Sequence, residues 1–150
     1  AKVNVQFVQG WWKDTGKPED LLEANQLILH DLEPFNEGTV EEEATLTGLV
    51  GIGRNTVLYK DSTIRGPAIL GRNCEIGSNA YVGPYTSLGD NVKLRDSEIE
   101  NSIVMEGAHI CCGKRIIDSI IGRNAKVVDS NSNLPRGHRL ILGDMTYVSI

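Results

Sequence analysis

Few side chains in this sequence are placed to do chemistry, and their spacing narrows what that chemistry could be. His30, His109 and His138 fall in three separate regions, whereas a zinc site needs several ligands brought together. His109, in the stretch EGAHICCGK, is the one histidine inside the repeated part of the chain described below. Imidazole titrates near neutral pH and can take a proton from an amine or hydroxyl, so His109 is the candidate general base of an acetyl-CoA-dependent acyl transfer. Its place one residue before Ile110 predicts an outward side chain, which suits a solvated or interface histidine equally well. Arg54 and Arg72 sit at equivalent places in the repeat; they could hold an anion together or simply line a solvated edge. Cys74, Cys111 and Cys112 form no Cys-x-x-Cys pair, and an odd count suits no disulfide framework. Reduced cytosolic thiols are expected, with Cys111 and Cys112 structural because a vicinal disulfide would strain the peptide between them.

What must position these residues is bounded by size and charge. The 150 residues amount to about one domain, large enough to bury a core without disulfides. A formal net charge of −5 argues against a nucleic-acid surface. No apolar run approaches the ~20 residues that span a bilayer, and AKVNVQFVQG lacks the layout of a secretory signal; a cytoplasmic protein with no membrane partner is expected. The chain starts with Ala1 in what reads as a strand, so it is expected to be a piece of a longer polypeptide.

The strongest signal is a period of six. From Leu46 it places Ile52, Leu58, Ile64, Leu70, Ile76, Val82, Leu88 and Leu94, an unbroken aliphatic series. The frame then slips by four residues to Val104, Ile110 and Ile116, and slips again, one residue short, to Ile121 and Val127. Four residues after the aliphatic comes a small residue: Thr56, Ser62, Ala68, Cys74, Ala80, Thr86 and Ala108. Gly-x-Asn recurs at Gly53–Asn55, Gly71–Asn73, Gly77–Asn79, Gly89–Asn91 and Gly122–Asn124. Both residue types tolerate the left-handed region, so they are read as corners. Short strands joined by such corners make an all-β, single-stranded parallel β-helix of about five coils over 46–135, stacked about 4.8 Å apart. Aliphatic-Gly-x-x-small-x repeats resemble those of left-handed β-helices, which implies that handedness against the usual crossover rule. This fold serves acyltransferases, carbonic-anhydrase-like proteins and nucleotidyltransferase appendages alike, so function must come from other residues.

Before the repeats, VNVQFV alternates like a strand and PEDLLEANQLILH reads as a helix. Pro18 suits its first turn, Glu19 and Asp20 complement its positive end, and Leu21, Ala24, Leu27 and Ile28 give one apolar face. The expected division is therefore a strand–turn–helix tail of an α/β domain over 1–30, a linker over 31–45, the β-helix over 46–135 and a cap over 136–150.

The stretch GWWKDTGKPEDLLEAN resembles the end of the catalytic domain of sugar-1-phosphate nucleotidyltransferases, especially the long form of glucose-1-phosphate thymidylyltransferase. STIRGPAILG, VGPYTSLGD and IENSIVMEG also resemble that family's C-terminal repeat domain. The resemblance implies that Asp14, in Trp12-Lys13-Asp14-Thr15-Gly16, is one of two carboxylates holding a catalytic Mg²⁺, a role suited to a hard cation. Trp11 and Trp12 are read as packing residues. It implies dTTP and glucose 1-phosphate as the parent's substrates, with a repeat domain that serves assembly. The family's nucleotide loop, basic phosphate ligands and second metal carboxylate have no counterpart here, so the chain alone is expected to be inactive. The alternative is a hexapeptide acetyltransferase with His109 as base, within a bifunctional enzyme. A homo-oligomer, most simply a trimer, is expected, with Tyr85, Ile99, Ile103 and Met105 marking an exposed interface.

Overall fold

A computed structural model describes residues 17–129, 138 and 140–150. Its strands are two or three residues long, because every sixth residue or so must turn a corner. They form three parallel sheets, and each strand pairs with the strand three places later in the chain. Sheet A contains Phe35–Asn36, Val50–Ile52, Ala68–Leu70, Thr86–Leu88, Ile103–Val104 and Ile120–Ile121. Sheet B contains Thr39–Val40, Val57–Leu58, Glu75–Ile76, Lys93–Leu94, His109–Cys111 and Lys126–Val128, closed by an antiparallel Leu140–Ile141. Sheet C contains Thr45–Thr47, Thr63–Arg65, Tyr81–Val82, Glu98–Glu100 and Arg115–Ile117. The expected parallel β-helix is present, with five full coils.

Its first coil begins at Phe35, which corrects the reading of 31–45 as a linker. Phe35 pairs with Gly51 and Thr39 with Val57, and Glu37 N–H donates to the Ile52 carbonyl at 2.9 Å. Val40 keeps the frame and packs against the core, but Pro34 breaks the series one step earlier and the acidic run Glu41–Glu43 between the strands reads as a linker. The strand of Leu46, the first member of the aliphatic series, ends sheet C among the described residues, and Leu46 is 40% exposed.

Ile52, Leu58, Ile64, Leu70, Ile76, Val82, Leu88 and Leu94 all point into one dry interior. Between them the small positions Thr56, Ser62, Ala68, Cys74, Ala80 and Thr86 are buried where the chain turns. Asn55, Asn73, Asn79, Asn91 and Asn124 adopt left-handed φ, as does Tyr85 in the asparagine position. The glycine of each Gly-x-Asn corner does not; it is required for close approach instead. A Cβ on Gly89 would sit 2.8 Å from the Glu106 nitrogen of the next coil.

The apparent four-residue slip is two shortened turns. Leu94, Ile99 and Val104 all enter the core, so Ile99 is an inward residue of a five-residue step and not an outlier. Ile116 to Ile121 is a third such step. In each, the left-handed residue is Asp96, Asn101 or Asp118, followed by a buried serine, Ser97, Ser102 or Ser119. These hydroxyls donate to the carbonyls two residues back, Arg95, Glu100 and Ile117, at 2.7 to 3.0 Å. Ser97 and Ser102 also accept the Cys112 and Ser119 N–H of the next coil at 2.8 and 3.0 Å. The serine thus supplies the acceptor that a buried amide needs.

Candidate functional site

The helix spans Pro18–His30, with Glu19 and Asp20 in its first turn and His30, exposed, in its last. It lies against the outer face of sheet A. Leu21 and Leu22 pack on Ile103, Met105 and Ile120, while Leu29 and Leu32 cluster with Ile69, Phe35 and Tyr85. Leu27, read as part of the apolar face, is 73% exposed; Leu21 and Ala24 are buried as read, together with Leu22, Asn25 and Leu29. Asn25 is a polar residue in that dry seam, and both polar atoms of its amide have a partner. Ser87 Oγ donates to its Oδ1 at 2.5 Å, and its Nδ2 donates to the Tyr85 carbonyl at 3.0 Å. Gln26 Nε2 donates to Asn101 Oδ1 at 2.8 Å. Sequence reasoning missed Asn25 and Ser87; the available signal was a serine in an outward position that holds isoleucine at Ile69, Ile103 and Ile120.

This seam corrects the expected interface. Tyr85, Ile103 and Met105 lie under the helix of their own chain and Ile99 is inside the β-helix. Asp14, Trp11 and Trp12 lie outside the described residues; Asp14 precedes Pro18 by four positions.

His109 projects from the outer face of sheet B, as its frame requires, between Lys93 and Lys126 on the neighbouring coils. Its ring has no hydrogen-bond partner among the described residues, so no carboxylate there orients it as a general base would require. His138 is exposed and separate. The neighbouring cysteines face opposite ways. Cys112 is buried, its N–H bound to Ser97, whereas Cys111 is half-buried on the outer side. All three cysteines are free. Burial pushes the Cys74 thiol up to about 11, so it stays protonated and inert.

Along the corner between sheets A and B, Arg72 is held by Asp90, whose carboxylate accepts both the Arg72 backbone N–H at 2.8 Å and its guanidinium at 3.3 Å. The paired-arginine anion site therefore loses one of its two members. Sheet C carries another neutralised ladder. Arg115 reaches Glu98 and Glu100 at 3.1 and 3.0 Å, and Glu100 raises its pKa further. Tyr81 lies between Arg65 and Arg115, 5.9 and 5.8 Å from its ring centre. Among the described residues no helix is long and apolar enough to cross a membrane.

Comparison with known proteins fits this architecture. The chain is 43% identical over its whole length to a glucose-1-phosphate thymidylyltransferase of Streptomyces antibioticus, of which it covers 41%. It is 40% identical over 99% of its length to a low-salt glycan biosynthesis nucleotidyltransferase of Haloferax volcanii, covering 42% of that protein. A bifunctional protein GlmU of Methanocaldococcus jannaschii is 36% identical over 82% of the chain and 30% of its own length. The chain thus spans less than half the length of these curated relatives. Residues 64–145, the later coils and the cap, match the model of the GMPPB C-terminal domain, and the chain belongs to that family.

Proposed function

We propose that this chain is the C-terminal part of a cytoplasmic glucose-1-phosphate thymidylyltransferase. In that reaction a phosphate oxygen of glucose 1-phosphate attacks the α-phosphorus of dTTP; the bond to the β-phosphate breaks, giving dTDP-glucose and pyrophosphate. The observation that carries the reading is whole-chain similarity at 43% to an enzyme of that name, across both the Trp-Lys-Asp-Thr-Gly segment and the β-helix. Asp14 would be one ligand of a Mg²⁺ ion, and its carboxylate suits that cation's preference for oxygen. Bound there, the metal would neutralise charge on the phosphates.

The β-helix contributes a rigid seat. Its sheet A anchors the helix that starts four residues after Asp14, through two apolar clusters and the Asn25–Ser87 pair. Assembly into a homo-oligomer, read as a trimer, is supported by apolar side chains exposed toward the last coil, including Ile117, Ile141 and Ile150.

The test uses the full-length parent. Asp14→Asn should lower kcat by about 100-fold or more with an unchanged melting curve, and an unchanged kcat would remove Asp14 from the metal site. Calorimetry should find no micromolar dTTP binding to the present chain alone, since one carboxylate cannot organise a metal-bound triphosphate.

A further inference from the structure

We propose that the outer face of sheet B holds a binding site for a small phosphorylated molecule bearing free hydroxyls, of the class of a hexose phosphate. The parallel register stacks Glu75, Lys93, His109 and Lys126 directly on one another, about 4.8 Å apart. Three neighbouring basic side chains in such a column repel one another when charged. One acid meets them, with Glu75 3.4 Å from Lys93.

Many of the chain's other cations are neutralised, though Arg54, Arg65 and Lys60 have no ion pair among the described residues. Arg72 pairs with Asp90, Arg123 with Glu106, Lys114 with Asp129, and Arg115 with Glu98 and Glu100. Arg95 and Lys126 have no ion pair among the described residues, in a chain of net charge −5. This is a local reversal of sign.

Lys93, Arg95 and His109, but not Lys126, border a groove of about 520 Å³ that Tyr59, Glu75 and Cys111 also line, a size suited to a small molecule. Arg95 is seated rather than loose. Its stem lies across Gly77, where an added Cβ would come within 3.2 Å of Arg95 Cγ. Guanidinium, ammonium and imidazole are the donors that hold a phosphate. The Tyr59 phenol and the Glu75 carboxylate are the partners that hydroxyls require. A simple anion would use the first group alone; a phosphorylated polyol uses both.

This inference rests on the groove and can fail or succeed independently of the nucleotidyl-transfer reading. The probes are glucose 1-phosphate, inorganic phosphate and glucose, titrated into this chain while the His109 ring resonances are followed. Glucose 1-phosphate should shift them saturably with a Kd of about 1 mM or tighter. Arg95→Ala and Lys93→Ala should each weaken that binding about tenfold, and both are exposed enough to leave the fold intact. Inorganic phosphate should bind more weakly and glucose not at all. The site is overturned by an absence of saturation up to about 20 mM, by binding that Arg95→Ala leaves unchanged, or by inorganic phosphate binding as tightly as the sugar phosphate.

Discussion

Sheets A and B are built from the same frame, with aliphatic residues inward and one residue per strand outward, yet their outer faces have opposite fates. Sheet A presents Ile69, Ser87, Ile103 and Ile120, and the chain's own helix covers them. Sheet B presents Glu75, Lys93, His109 and Lys126 at equivalent places, and no described helix covers them. The inward positions decide that a prism forms; the outward ones decide which side is a joint and which is a surface. An apolar outward residue in a parallel β-helix therefore calls for a cover, and the nearest candidate is a segment of the same chain before a second subunit.

The largest effect should come from the shared interior. Ile76→Asp puts a carboxylate among Leu58, Leu94 and their neighbours, with no polar partner. The cost is several kcal/mol, comparable to a domain's whole stability. The variant should show no cooperative thermal transition, and a soluble protein with an ordinary melt would disprove the inward frame.

The two outer faces should then separate. Ile103→Ala, under the helix, should cost about 2–4 kcal/mol and expose helix amides such as those of Leu22 and Asn25 to faster hydrogen exchange. Lys93→Ala, on sheet B, should change stability by under about 1 kcal/mol, because its pair with Glu75 is solvated. Equal costs at the two sites would erase the distinction between joint and surface.

A pH-dependent effect sharpens the contrast between inside and outside. Cys74 is held protonated by burial, its pKa raised from 9.0 to about 11. The unfolded chain loses this proton above pH 9 while the folded chain keeps it, so stability is full below 9 and declines as pH rises toward 11. The decline should be on the order of 2 kcal/mol. Denaturant midpoints measured across that window should fall in the parent chain and fall less in Cys74→Ala. Identical slopes would mean that Cys74 does not sit in a dry interior.

Much of this was legible in the residues. Each inward aliphatic from Ile52 to Leu94 could be named, and so could the left-handed asparagines, the helix start at Pro18 and the outward direction of His109. The five-residue steps were legible too, in the pairs Asp96-Ser97, Asn101-Ser102 and Asp118-Ser119, but a strict period of six reads them as a slip. The first coil was harder, because Phe35–Thr47 offers pairing to the coil above without a full set of aliphatics.

The sequence by itself determined the prism, since a side chain's inward or outward direction in a short strand follows from local backbone alternation. It did not determine what lies on the prism. Whether Ile103 meets solvent, another subunit or Leu21 depends on contacts between residues more than eighty positions apart, which no local pattern encodes. The same holds for the electrostatics of sheet B. Glu75, Lys93, His109 and Lys126 look scattered along the chain, and only the stacking of successive coils brings them into one column.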